Sequence, residues 1–532
     1  MLATLLSATL VGLDGRVVRV EVDVAPGLPG FTIVGLPDAA LQEARERVRS
    51  AIRNSGFDYP PRRITVNLAP ADVRKAGASL DLAIAVGILV ATPQLVPRVD
   101  WALLGELSLG GEVRSGPGLL PMVAALRRRG VRRVLVPADG LAEARLVDAI
   151  DVAGVADLEE AAVLVRQRRT RPRRRPERVD ASGEEGAPPP IAGRLASAAG
   201  DPRPSLGAIG YRESDTVPDL GEVRGQLAAR RALEIALAGE HGLLLVGPPG
   251  AGKTMLARTI PELLPPLDDE EALAATIIES VAGRRPTALV RRRPFRSPHH
   301  TASHAAIVGG GPRLSPGEVT LADGGVLFLD ELPEFPRDVL DALREPLEDG
   351  VVNVARVGRQ ATFPARFQLI AAMNPCPCGL LGQSEGCRCP TGIPERYAAR
   401  ISGPLRDRID LRVELSRVPP VEVLGLGEPE RSAEVAERVA AARSRQMARQ
   451  GMLNGRLTGR RLRARCALDE VARRRAVELA TLEGYTARGT ERLLRVGRTI
   501  ADLAQDERVR PVHLEEAAAY RVGVRRLQAL AG

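Results

Sequence analysis

The chain has 532 residues, 44% hydrophobic and 27% charged, which is the balance of folded globular domains rather than of disordered or fibrous sequence. With one Trp, five Tyr and seven Phe, cores must be built from aliphatic residues, and stacking of bases on aromatic platforms is not expected as the main mode of nucleic-acid binding. The net charge is +9, but eight arginines against Glu177 alone place +7 of it between Arg166 and Arg178, so the folded parts are nearly neutral and any polyanion must be gripped locally.

The chain opens on MLATLLSATLVGL, which has the length of a signal-peptide core but no preceding basic residue and no convincing cleavage site, so a first buried strand is expected. No apolar run, Leu82 to Ala91 included, approaches the about 20 residues needed to cross a bilayer. VVRVEVDV, FTIVGL, ITVNLAP, DLAIAVGILVA and RRVLVP are apolar runs punctuated by Gly and Pro, with helix-like segments at Ala40 to Ser55 and Leu119 to Arg129. Residues 1–165 are therefore expected to form an α/β domain.

The stretch 166–217 holds the arginine tract, then Pro188 to Pro190 and the DPRP of Asp201 to Pro204, and reads as a basic, Pro/Gly-rich linker.

From 218 to 417 the order is that of a nucleotide-binding α/β domain. Gly247 to Thr254 reads GPPGAGKT between the strand-like HGLLLV and the helix-like MLARTI, which is the full context of a phosphate-binding loop. In that reading the loop Gly247, Pro248, Pro249, Gly250, Ala251 and Gly252 curls around phosphate oxygens, its non-proline residues donating their backbone N–H groups, Lys253 reaches the β and γ phosphates, and Thr254 ligates Mg²⁺. Only two of the basic residues are lysine, Lys75 and Lys253, which points to positions where a compact ammonium cannot be replaced by guanidinium. Further on, VLFLDE ends a buried strand at Asp330, suited to the Mg²⁺ shell, and Glu331, placed to orient or deprotonate the attacking water. ATP hydrolysis follows from that pair.

Between these motifs, His299, His300 and His304 sit in an insert with no acidic residue beside them, and are expected to fix its shape rather than bind metal. Val351 to Phe367 alternates and turns at Gly358, which predicts a β-hairpin carrying Arg356 and Arg359. Cys376, Cys378, Cys387 and Cys389 offer four thiolates within fourteen residues, enough for a tetrahedral Zn²⁺ site, and Cys466 stands alone. Five cysteines without a disulfide framework suit a reducing compartment, and a cytoplasmic location is expected. From 418 to 532 the pattern is helical, giving a small closing domain.

GPPGAGKT, RPFRSPHHTASHAAIVGGGPRLSPGEVTLADGGVLFLDELPEF, AAMNPCPCG and SGPLRDRIDL together resemble the magnesium-chelatase-like AAA+ family of ComM/YifB type, over nearly the whole chain except the linker. The resemblance implies a P-loop AAA+ domain with a C-terminal helical lid, assembled into a ring that is usually hexameric, with ATP and Mg²⁺ as cofactors. It also implies that Asn374 is sensor 1, Arg408 the arginine finger directed at a neighbour's ATP, and Arg488 sensor 2 in the lid, with Arg406 and Arg492 as close rivals for the last two roles. The ComM branch implies a helicase driving DNA branch migration in recombination and natural transformation. The resemblance of the Val351 to Phe367 hairpin to the one that enters the ring channel of related helicases implies Arg356 and Arg359 as candidates for contact with DNA phosphates. A chelatase-type motor remodelling a protein partner is the alternative.

RKAGASLDLAIAVGIL is similar to the nucleophile segment of the Lon protease domain and places Ser79 at the nucleophile position. That family's catalytic lysine falls at Leu120, and a serine hydroxyl without its base is a weak nucleophile. The N-terminal domain is thus identified with the Lon-protease-like (ribosomal S5 domain 2-like) α/β fold, proteolytically inactive.

Overall fold

The computed structural model describes residues 1–75, 77–97, 100–166, 208–210, 217–311, 314–356, 359–383, 386–419, 421 and 429–520. The arginine tract beyond Arg166 lies outside the described residues.

The N-terminal half is built on a mixed sheet. β1 (Leu2–Val11) and β2 (Asp14–Ala25) form an antiparallel hairpin closed by Val11 opposite Asp14, where Gly12 takes the left-handed conformation the turn requires. β3 (Gly30–Val34), β4 (Arg63–Ala69), β5 (Ala102–Leu103), the small hairpin β6 (Glu106–Leu107) and β7 (Val113–Arg114), β8 (Arg133–Pro137) and β9 (Asp151–Val155) follow, and the main sheet runs β3-β4-β2-β1-β5-β8-β9. The run DLAIAVGILVA is a helix, Asp81–Ala91, with ten of its eleven residues buried. A helix surrounded on all sides shows no polar face, so periodicity could not distinguish it from a strand.

The second sheet contains β10 (Ala208–Gly210), β11 (Leu243–Val246), β12 (Phe295–Pro298), β15 (Val326–Leu329), β18 (Gln368–Met373) and β19 (Leu411–Glu414), in the order β10-β12-β15-β18-β11-β19. All are parallel except the edge strand β10. That edge strand falls inside the stretch read as linker; three residues are too few for an alternating pattern to register. Between β12 and β15 the insert carries the helix His304–Val308 and the ladder β13 (Gly309–Gly310) with β14 (Ser315–Pro316). β16 (Val351–Arg356) and β17 (Arg359–Pro364) pair as the expected hairpin, with Arg356 opposite Arg359 at its end.

The C-terminal helices Ser432–Gln450, Gly459–Cys466, Glu470–Leu482, Ala487–Leu503 and Pro511–Ala519 share one apolar core with β11, β19 and helix Leu227–Gly239. Arg498 is fully buried there, bound to Asp502 at 2.8 Å and to the carbonyl of Glu507 at 2.7 Å. Its two terminal nitrogens are matched in this way, which offsets the cost of burying the charge, while Nε has no hydrogen-bond partner among the described residues. The protein is thus α/β with a helical C-terminal region.

The two halves meet through helix Asp269–Val281. Ser280 Oγ donates to Glu143 Oε1 at 2.5 Å, and the same carboxylate oxygen accepts the Leu120 N–H at 2.9 Å. Ile277 packs on the cluster that contains Leu120, and Arg285 pairs with Asp139 at 2.7 Å. Burial raises the Glu143 carboxyl, opposed by its bonds to Ser280 and Leu120.

Candidate active site

β11, β15 and β18 are adjacent and parallel, so the segments leaving their C-terminal ends converge on one edge of the sheet. GPPGAGKT leaves β11, Asp330 and Glu331 leave β15, and Asn374 leaves β18. Gly250 and Gly252 hold positive φ, the loop conformation that turns successive N–H groups inward.

Lys253 begins the helix after the loop and is 8% exposed. Its ammonium donates to the carbonyls of Gly247 (2.7 Å) and Pro248 (3.0 Å) and to Asn374 Oδ1 (3.0 Å). Burial lowers its pKa, against the nearby charges of Asp330 and Glu331, which raise it. Thr254 Oγ1 donates to Asp330 Oδ2 at 2.6 Å. A hydroxyl and a carboxylate in contact beside a buried ammonium are the hard oxygen donors and the phosphate counter-charge that Mg²⁺ and ATP require, so the residues fit both.

Glu331 is about half exposed, has φ +52°, and its Oε2 lies 3.1 Å from His300 Nδ1. His300 therefore has an acidic partner, which sequence adjacency concealed because it comes from the neighbouring strand end. His299 bonds Thr301 at 2.8 Å, and His304 opens its short helix. Among the described residues the histidines form no metal-ligating group.

Arg408 and Arg488 are brought together elsewhere. Both line a cleft of about 520 Å³ that also includes Gly242, Gln368 and Asp410, at or just before the N-terminal ends of β11, β18 and β19. Four strand residues at about 3.3 Å each put this cleft on the opposite edge of the sheet from the chain's own P-loop. Arg408 pairs with Glu348, and its pKa is lowered by burial and by the cations of Arg488 and Arg492. Arg492 is buried and committed to Asp407 Oδ1 at 2.9 Å, whereas Arg488 and Arg406 are exposed.

The four cysteines gather next to the P-loop. Sγ separations are 3.4 Å for Cys376 and Cys378 and 3.7 Å from each of these to Cys387, and all four sulfurs, Cys389 included, lie within 4.8 Å of one another. This group can hold a metal ion. Arg356 and Arg359 occupy backbone positions at the hairpin end.

Ser79 Oγ donates to the Ala8 carbonyl at 3.2 Å, Lys75 Nζ bonds the Pro70 carbonyl, and Leu120 is fully buried. No helix among the described residues is long and apolar enough to cross a membrane.

Three family profiles match along the chain: "Magnesium chelatase, subunit ChlI" over residues 219–423, "Subunit ChlI of Mg-chelatase" over 20–140, and "Magnesium chelatase, subunit ChlI C-terminal" over 429–521. The uncharacterized protein YifB of Salmonella typhimurium is 41% identical over 525 residues, covering 98% of this chain and 97% of its own. Competence protein ComM of Haemophilus influenzae is 39% identical over 533 residues, 99% of each chain. A shorter stretch of 132 residues, 24% of this chain and 16% of the relative, is 28% identical to Lon protease 1 of Hydrogenovibrio crunogenus.

Proposed function

The chain belongs to the magnesium-chelatase-like AAA+ ATPases of ComM/YifB type, and on that premise we propose that it is a cytoplasmic, ring-forming motor, a hexamer in the usual form, that couples ATP hydrolysis to translocation or branch migration of DNA. The family implies ATP and Mg²⁺ as its cofactors. In this reading Gly247 to Lys253 hold the phosphates, Thr254 and Asp330 hold the Mg²⁺, Asn374 acts as sensor 1, and Glu331 orients the water and takes its proton. Bound Mg²⁺ supplies charge neutralisation on the phosphate oxygens.

The observation that carries the ring is the shared cleft of Arg408 and Arg488 on the sheet edge opposite the P-loop. Neither arginine serves the ATP of its own chain from there, whereas both can meet a neighbour's. Burial and the neighbouring cations of Arg488 and Arg492 lower the Arg408 pKa, a cluster of positive charge that favours an anion beside it, and a fixed guanidinium aimed at developing charge is the most effective form of such stabilisation.

The domains we propose are an inactive Lon-like domain over 1–165, a linker over 166–217, an ATPase core over 218–417 and a lid over 418–532. Leu120 in place of a lysine, and a Ser79 hydroxyl bonded to a carbonyl rather than a base, support the absence of peptide hydrolysis. For DNA, the support is the hairpin with Arg356 opposite Arg359 and the ComM relative. Zn²⁺ is the metal we assign to the four cysteines.

The test is ATP hydrolysis by the purified protein across a salt series, without DNA and with single strands, duplex and a four-way junction, alongside its mass in solution. Salt-sensitive stimulation that is largest on branched DNA supports the motor. Unchanged hydrolysis in assembled rings turns the reading to the chelatase-type motor acting on a protein partner.

A further inference from the structure

The loop between β18 and helix Ile393–Ala399 runs from Asn374 to Gly392, and among its described residues after Pro375 and Cys376 there is no buried apolar side chain. A loop of this length without a core needs another restraint to hold a fixed shape. Its four sulfurs nevertheless converge. A tetrahedron with Zn–S legs of about 2.3 Å has edges of about 3.8 Å. The two separations of 3.7 Å match those edges, the third at 3.4 Å is slightly shorter, and the backbone N–H of Arg388 points at Cys378 Sγ from 3.5 Å, as a donor does toward a metal-bound thiolate.

The loop touches the P-loop twice. Gly379, at φ +77°, lies so close to Pro249 that a Cβ there would stand 2.4 Å from the proline Cδ. At the loop's start, Asn374 accepts the Lys253 ammonium, two residues before Cys376. The cysteine-bearing loop thus packs on the phosphate loop at Gly379 and is continuous with Asn374 at its start.

We infer that Cys376, Cys378, Cys387 and Cys389 bind one Zn²⁺ as a strut that fixes the P-loop and Asn374, so that nucleotide affinity depends on a metal that never meets the nucleotide. The metal replaces four thiol protons, and no redox step is involved. The inference rests on the ATPase reading for its readout. Zinc is favoured because four soft thiolates in a tetrahedral array select it over Mg²⁺, Ca²⁺ or Mn²⁺.

The experiment uses the full chain. Metal content is measured for the wild type, Cys387→Ser and Gly379→Ala, and binding of a fluorescent ATP analogue is measured for each, with circular dichroism as the control for folding. One zinc per wild-type chain is expected. Cys387→Ser should lose it and bind the analogue at least about tenfold more weakly, the effect seen when supports of a site are removed. Gly379→Ala keeps all four thiols, so it should retain zinc and still bind less tightly. Wild-type protein without zinc, or with iron in its place, overturns the metal assignment. A zinc-free, folded Cys387→Ser chain that binds as tightly as wild type overturns the strut. Wild-type protein that carries zinc but binds no ATP defeats the ATPase reading instead.

Discussion

His300 Nδ1 stands 3.1 Å from Glu331 Oε2, tying the segment after β12 to the end of β15. A hydrogen bond donated to a carboxylate occupies a lone pair that general-base action needs, so the contact restrains the residue proposed to activate water. His300→Ala should raise hydrolysis in the absence of DNA by about fivefold, the worth of a hydrogen bond of about 1 kcal/mol. Because His300 leads directly into the insert helix His304–Val308, the same variant should show a smaller ratio of DNA-stimulated to basal rate. An unchanged ratio in steady-state assays removes His300 from the coupling.

Lys253→Ala and Glu331→Gln separate binding from chemistry. Without its ammonium the loop should bind ATP roughly a hundredfold more weakly, the loss of a charge-assisted contact. Glu331→Gln should bind ATP and assemble normally while turnover falls by about 10² to 10⁴. Normal hydrolysis by Glu331→Gln would show that another group handles the water.

Arg408→Ala should be inactive alone, as Lys253→Ala is, yet a mixture of the two should regain activity. In mixed rings some interfaces pair an intact P-loop from one chain with an intact Arg408 from the next. Titrating one variant against the other at constant total protein checks this, and a mixture with no recovery argues that the arginine cleft does not face a neighbour's ATP.

Arg356→Glu and Arg359→Glu should weaken DNA binding at every sequence tested and reduce the salt dependence of log K by about one to two per double variant. Basal hydrolysis should be unaffected. Fluorescence anisotropy at several salt concentrations measures both quantities, and an unaltered slope excludes phosphate contact by the hairpin.

Asp81 is fully buried at the start of helix Asp81–Ala91, paired with Arg47 at 2.7 Å, and burial pushes its carboxyl from 3.8 to about 6. Its folded value lies above its unfolded one, so its contribution to stability is complete below the unfolded value and is lost as pH rises through the folded value. Relative to Asp81→Asn, which does not titrate, wild type should lose about 3 kcal/mol between about pH 4 and 6. Urea unfolding of both proteins across that range tests the sign. A constant difference would mean that Arg47 holds the carboxylate charged throughout.

The parts of this site that the sequence disclosed are those whose residues are neighbours in the chain. GPPGAGKT, VLFLDE and the cysteine spacing each carry their chemistry within a short window, and the strands around them are apolar enough to be recognised. The meeting of His300 with Glu331, and of Arg408 with Arg488, depends on which strand lies beside which, and no local pattern encodes that. Lys253 and Asn374 belong to motifs 121 positions apart, and their direct bond follows from β11 lying beside β18. The strand at Ala208–Gly210 and the helix at Asp81–Ala91 were obscured for opposite reasons, one being too short for a period and the other too uniformly apolar to have one.

Leu120 gives its side chain to a core shared with Ile277 and its N–H to the carboxylate that Ser280 also holds. A lysine at that position would put a charge into an apolar socket that Ile277 of the other half helps to line. Position 120 is thus part of the joint between the two halves of the molecule, so that a substitution there acts on how the halves are held together before it acts on any chemistry at Ser79.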